Sequence, residues 1–373
     1  VTGVAGESDT MIREVTAAAY RVPTPTREGD GTLTWDGTTM VVARVDCGDT
    51  VGVGWTYADP ACVGLIQGVL AEAVRGGDVL DTPARWHAMQ RRVRNLGRVG
   101  LVSCAMSAVD IAAWDAAARL RGMPLARLLG RVHDSVAVYG SGGFTTFDDA
   151  QLTAQIEHWV GDKGIPRIKI KIAEGWGSAV HRDLARVARV RQLAGSGTEL
   201  FVDANGGYTV GQAVRVGRRL AEWDVTWFEE PVSSDDLAGL RQVRAAVDAD
   251  VTAGEYGYDL PYFARMIGAD AVDCVQVDAV RCGGYTEWFR IAAVAAAHNL
   301  DVSAHTAPNV SVHAAVGTPN FRHVEWFADH ERVEPMLFDG GLDPVGGRAA
   351  PDLSAPGHGM TLKEADAERH RVA

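Results

Sequence analysis

The chain changes its apolar rhythm once. Between residues 10 and 60 the apolar positions fall in strand-like runs, VTAAAYRVPT, MVVARV and VGVGWT, the last two flanking CGDT in a hairpin pattern. The polar, Pro/Gly-rich stretch PTREGDGTLTWDG between the first two reads as a loop of the kind that serves as a lid. From 60 to 130 the spacing turns helical. SAVDIAAWDAAARLRGMPLARLLG predicts an amphipathic helix, broken at Gly122-Met123-Pro124 and followed by a shorter one. Residues 1–132 are therefore expected to form a small α+β capping domain. After about residue 135, eight short apolar runs alternate with helix-length segments: VAVYGS, RIKIKI, ELFVDA, VTWFEE, DVTAGE, DCVQVD, LDVSAH and RHVEWF. That alternation predicts an α/β fold, a TIM-type (β/α) barrel over 133–334. Residues 335–373, with DGGLDP and APDLSAPGHG, hold no further unit and are expected to pack back on the capping domain.

Within RIKIKIAEG a strand places Lys169 and Lys171 on one face and the isoleucines on the other. Such a strand alone is most often a solvated edge. The ends of the following runs change that reading. They deliver Asp203, Glu229, Glu255, Asp278, His305 and Glu325, spaced by 26, 26, 23, 27 and 20 residues, one βα unit at a time. In a barrel the C-terminal strand ends converge on one mouth, where catalytic groups sit, so the two lysines are expected to point inward.

Composition narrows the classes. The 373 residues carry a formal net charge of −12, with 47% apolar and 23% charged residues. This is ordinary for a soluble enzyme and argues against binding to nucleic acid or an anionic membrane. No run of about 18 apolar residues appears and the N-terminus has no basic-then-apolar leader pattern. Five scattered cysteines without CxxC spacing read as reduced thiols, so a cytoplasmic location is expected.

Asp203, Glu229 and Glu255 on neighbouring strands repel each other unless a cation sits among them. Hard oxygen donors with no interleaved His or Cys suit Mg²⁺ and argue against zinc. Asp278 beside His305 can fix the imidazole tautomer and raise its basicity. A lysine on one side, a histidine on the other and a divalent cation between them suit removal of a proton α to a carboxylate. Lys169 is expected to neutralise that carboxylate and, by its charge, to lower the pKa of Lys171. A Schiff-base aldolase using a barrel lysine without metal is a more distant reading. Tyr139, Tyr256 and Tyr258 lie near strand ends, whereas His313, His323 and His330 carry no pattern that sets them apart from structural histidines.

Taken together, SAVDIAAWD…MPLARLLG, KIK, DANGGY, FEEP, AGE, QVDAVRCGG, SAHTAP and HVEWF resemble the enolase superfamily, mandelate racemase subgroup, over nearly the whole chain. The resemblance implies a cap whose loops close over the barrel mouth and one essential Mg²⁺ on Asp203, Glu229 and Glu255. It implies Lys171 and the His305–Asp278 dyad as acid/base groups and Glu325 as a hydrogen-bond partner of the substrate carboxylate. Asn205, Tyr139 and Trp55 are lesser candidates for substrate contact, with the loop near Trp35 and the Trp55-Thr56-Tyr57 stretch setting substrate choice. The implied reactions are dehydration of a sugar acid (aldonate or aldarate) to a 2-keto-3-deoxy acid, or alternatively racemisation or epimerisation of a 2-hydroxy acid. A homo-oligomer is also implied.

Overall fold

Three strands near the N-terminus pair antiparallel in the order β1 (Glu14–Gly29), β2 (Thr34–Asp46) and β3 (Val51–Tyr57). The structure is a computed structural model and describes residues 10–373. The first residues of the expected capping domain, and the stretch in which a leader was sought, include residues 1–9, which lie outside the described residues. The sheet lies on the helix Leu101–Leu120, and Gly52 and Gly54 allow the contact: a Cβ at either would collide with the carbonyl oxygens of Ala112 or Ala108.

Two expectations are corrected here. The stretch read as a lid loop is mostly ladder, since β1 runs to Gly29 and β2 starts at Thr34, leaving a short tip at 30–33. The pairing is irregular only between Pro23 and Glu28, where Pro23 and Pro25 interrupt donation to the ladder. Nor is Leu101–Leu120 amphipathic: sheet and barrel cover it from opposite sides and bury nearly all of it. It is long and apolar enough to cross a membrane, but 89% of its apolar window is buried inside the fold, as in a core helix.

Eight parallel strands follow: β4 (Val136–Gly142), β5 (Arg167–Lys171), β6 (Glu199–Asp203), β7 (Val225–Glu229), β8 (Asp250–Ala253), β9 (Cys274–Val277), β10 (Asp301–Ala304) and β11 (Phe321–Phe327). Neighbours pair in chain order and β11 pairs back onto β4, closing the barrel. Each strand is followed by a helix. Ile168, Ile170 and Ile172 pack outward in the main apolar core, which fixes the inward direction of the lysines between them. Beneath the mouth, Tyr139, Phe201, Trp227 and His323 fill the interior with ring contacts at 4.8–5.6 Å.

The C-terminal segment touches the cap in several places. Ala19 N donates to the Ala373 carbonyl at 2.9 Å, Arg119 to Met360 O at 2.9 Å, and Leu125 N to Gly357 O at 2.7 Å. All five cysteines are buried free thiols.

Candidate active site

Strand register assembles the site's floor. Lys171 on β5, Asp203 on β6 and Glu229 on β7 sit side by side in the ladders. Glu255 follows two residues after β8 ends. Asp203, Glu229 and Glu255 each present a carboxylate oxygen within 4.8 Å of the others, all buried. Their donor set is oxygen only, and Glu255 Oε2 accepts no hydrogen bond. Buried carboxylates this close require compensating cations, and an oxygen cage of this size with an unsatisfied acceptor fits Mg²⁺. Glu229 is oriented from below by Trp227 Nε1 and Gln276 Nε2, each donating to Oε2 at 2.9 Å.

Both lysines are buried and paired. Lys169 Nζ contacts Glu229 and lies 2.8 Å from Glu325 Oε1, while Lys171 Nζ contacts Asp203. The expected lowering of Lys171 is not what the geometry gives. Burial and Lys169 both press its pKa down, but the Asp203, Glu255 and Glu325 carboxylates together outweigh them and hold Lys171 above the ordinary lysine value. Glu325 takes a second hydrogen bond from Ser141 Oγ at 2.6 Å and a third from Thr306 N at 3.2 Å. Burial raises Glu325, but Lys169, His305 and Lys171 more than reverse this, so it is held ionised and is a hydrogen-bond acceptor here rather than a donor.

Across the mouth, His305 Nδ1 donates to Asp278 Oδ2 at 2.7 Å, and Val280 N donates to the other Asp278 oxygen at 2.7 Å. This leaves Nε2 facing inward, 3.4 Å from Glu255 Oε2 and 3.8 Å from Glu325 Oε2. Burial alone would depress the imidazolium; Glu255, Glu325 and the bond to Asp278 more than offset it and raise the His305 pKa. Around the closed sheet, β5 and β10 lie three strands apart one way and five the other, so Lys171 and His305 stand on opposing walls.

A cavity of about 750 Å³ opens above these groups, large enough for a six-carbon acid. Lys171, Asn205, Glu255, His305 and Glu325 line it. Asn205 has φ of 45°, and its buried Oδ1 accepts no hydrogen bond. Lys169, Tyr139 and Trp55 do not line the cavity; Lys169 is fully buried beside it among Glu229, Glu325 and Asp203. Tyr139 is one inward layer too deep on β4, its hydroxyl 3.4 Å from Lys169 Nζ, and Ser141 takes the position at the mouth. Trp55 is sealed between cap and C-terminal segment, stacked on Phe338 at 4.6 Å; Tyr57, two residues on and on the same strand face, reaches the cavity instead.

Several lining groups escaped the sequence reading, Arg281 and Asp329 among them, and His330, grouped there with structural histidines, also lines the cavity. Arg281 lies 3.4 Å from Asp278 and 3.5 Å from Glu255, with its guanidinium 5.5 Å from the Tyr256 ring centre. His330 stacks on Tyr57 at 3.4 Å between centroids and is kept neutral chiefly by burial. Asp329 accepts from Thr38 of the cap and pairs with Arg332. Arg281 was signalled by its place three residues after Asp278. The other two follow β11 on a helix whose start carries no motif. His313 and His323 are buried away from the cavity.

The cap is pinned beside this mouth. Gly31 fits only because it lacks a Cβ, which would strike the carbonyl oxygens of Ile172 and Ala173 just past Lys171. Trp86 Nε1 donates to Gly283 O at 2.8 Å and Thr56 Oγ1 to Val280 O at 2.7 Å, bracing the loop that carries Arg281.

Comparison with known proteins agrees with this architecture. Residues 12–130 match the mandelate racemase / muconate lactonizing enzyme N-terminal domain, and residues 151–366 match the enolase C-terminal domain-like family. The chain is 31% identical over 361 residues to the 3,6-anhydro-alpha-L-galactonate cycloisomerase of Streptomyces coelicolor, covering 94% of this chain and 97% of that one. It is similar to the crystal structure of a mandelate racemase/muconate lactonizing enzyme-like protein from Rubrobacter xylanophilus (42% identity, TM-score 0.93, 97% of this chain and 100% of that one). It is also similar to L-talarate/galactarate dehydratase from Salmonella typhimurium LT2 liganded with Mg and L-lyxarohydroxamate (28% identity, TM-score 0.88, 100% and 96% covered).

Proposed function

The chain belongs to the mandelate racemase / muconate lactonizing enzyme family of the enolase superfamily, and from that premise we propose that it dehydrates a sugar acid to a 2-keto-3-deoxy acid. The observation that carries the reading is the placement of Lys171 and His305 on opposing walls of one cavity floored by three buried carboxylates.

In this reading Asp203, Glu229 and Glu255 hold Mg²⁺, which supplies Lewis-acid stabilisation of the charge that α-proton removal places on the carboxylate. Lys169, already buried among acids, balances the substrate carboxylate, and Glu325 keeps Lys169 in place. His305 Nε2 takes the α-proton, or Lys171 Nζ does where the charge of Asp203 that keeps it protonated is neutralised by the bound cation. The enediolate then breaks its bond to the β-hydroxyl, His305 Nε2 gives up a proton so that the group departs as water, and the resulting enol tautomerises to the keto acid. Asp278 keeps the His305 proton on Nδ1 so that Nε2 is the reactive nitrogen. Asn205, with an unpartnered oxygen at the rim, is positioned to accept from a substrate hydroxyl.

The second reading, racemisation or epimerisation, is favoured by the same two opposed proton carriers, since it needs one base on each face of the α-carbon. Incubating sugar acids with the enzyme and Mg²⁺ in D₂O, followed by mass spectrometry and keto-acid trapping, tests both. Dehydration yields a trapped keto acid; epimerisation yields deuterated acid of both configurations without loss of water. Normal turnover and exchange by Lys171→Ala would sink both readings.

A further inference from the structure

The charges of the cavity are segregated, and the segregation bears on which sugar acid fits. Every cationic lining group lies at the floor: Lys171 with Asp203, His305 with Asp278, and Arg281 between Asp278 and Glu255. The roof comes from the hairpin tip, β2, and β3 with the turn after it. Among the described residues this roof contributes two acids, Asp30 and Asp59, with Trp35, Thr38, Thr39 and Tyr57, and no Lys, Arg or His. Both acids are held in place by the backbone. Asp30 Oδ1 accepts from Leu33 N at 2.8 Å and Asp59 Oδ1 from Ala61 N at 2.8 Å, which leaves the second oxygen of each for other donors. A third acid, Asp329, lies beside them.

The cations that could have answered these acids are turned elsewhere. Arg332 is spent on Asp329 and Pro23 O, and Arg27 lies on the far side of the hairpin tip, with its Nε 3.1 Å from Thr34 Oγ1. Trp35 is set edge-on to Phe144 at 5.5 Å and fixed by donation to buried Glu28 at 3.0 Å, which presents an aromatic surface rather than a donor. A second carboxylate under this roof would meet like charge with no Lys, Arg or His of the roof to answer it, which disfavours it. Hydroxyl groups, by contrast, donate to Asp30, Asp59 and Asp329, and carbon-bound hydrogens pack on Trp35 and Tyr57.

We propose that the substrate is a monocarboxylate of the aldonic class, its single carboxylate on the floor and its neutral polyol tail under the roof, and that Asp30 and Asp59 exclude aldaric diacids. This deepens, and rests on, the reading of the site as one for sugar acids.

The test uses the Mg²⁺-loaded enzyme and matched acid pairs: gluconate with glucarate, galactonate with galactarate, mannonate with mannarate. Binding is read by calorimetry at saturating free Mg²⁺, and α-deuterium exchange is read separately. The aldonate of the best-bound pair is expected to bind at least 30-fold more tightly than its aldarate. Asp30→Asn/Asp59→Asn is expected to tighten aldarate binding about tenfold and so to narrow the gap between each aldonate and its aldarate. Equal or tighter binding of the aldarates overturns the proposal, as does failure of all six acids to bind or an aldarate affinity that the double variant leaves unmoved. Aldonate-selective binding with no exchange of any α-proton would instead support the proposal and defeat the dehydratase reading.

Discussion

His305 Nδ1 and Asp278 Oδ2 lie 2.7 Å apart, joined across the adjacent strands β10 and β9. The bond decides which imidazole nitrogen carries the proton and so which one faces the cavity. Asp278→Asn preserves the shape but can present its amide N–H to Nδ1 and reverse the tautomer. Its kcat is expected to fall about 10²–10⁴-fold with little change in KM, by analogy with other oriented imidazoles. Steady-state kinetics on any turned-over acid checks this; an unaltered kcat would remove Asp278 from the mechanism.

Gln276 touches no cavity yet fixes Glu229, sharing its Oε2 with Trp227. Groups of this kind usually set metal affinity, so Gln276→Leu is expected to weaken Mg²⁺ about 10–100-fold. Asp203→Asn should weaken it more, because it removes a charge from the cage itself. Calorimetric Mg²⁺ titration of the three proteins checks the order. Treatment with EDTA should abolish turnover and added Mg²⁺ restore it.

How much of this was legible beforehand follows from what each residue depends on. The barrel and its mouth were written in the period of the runs, because a strand's two-residue alternation and a unit's length fix which side chains share one end. Asp203, Glu229, Glu255, Asp278 and His305 were readable for that reason. Tyr139 was misplaced by one inward layer, since nearness to a strand end in sequence does not say where the mouth begins. Trp55 was misassigned because which residue of an alternating face reaches the cavity depends on docking between domains. The state of Lys171 depends on a carboxylate one strand away and could not be weighed from the KIK triplet alone. Asp30 and Asp59 come from turns with no motif and become a roof only after the cap docks, and His330 comes from a helix start that carries none either.

Gly52 sets the distance between β3 and the helix Leu101–Leu120, because a Cβ there would meet the Ala112 carbonyl and the Ala116 backbone. Gly52→Ala must push two fully packed elements apart, which costs about 1–3 kcal/mol or more. Denaturant unfolding is expected to show a lowered midpoint. As a control, Gly64→Ala on the exposed side has nothing within 4 Å of its new methyl and should be neutral or slightly stabilising.

Glu334 lies buried where cap, barrel and C-terminal segment meet, receiving Tyr57 Oη at 3.0 Å, Trp55 Nε1 at 3.3 Å and Asn309 Nδ2. Burial pushes its pKa up to about 7, the three donors only partly opposing it. In the unfolded chain the same group loses its proton near the ordinary value of about 4.5. Between these values the folded state holds a proton that the unfolded state has released, so this contribution to stability falls as pH rises from about 4.5 through 7 and levels off above. The full effect is on the order of 3 kcal/mol. Glu334→Gln, which stays neutral throughout, should flatten that part of the profile, and because Glu28 and Asp110 are raised to about 7 as well, the comparison must be the difference between wild type and variant at each pH. Thermal unfolding from pH 5 to 8 measures it: the variant should lose ground relative to wild type at pH 5 and gain at pH 8, whereas parallel profiles would mean that Glu334 titrates alike in both states.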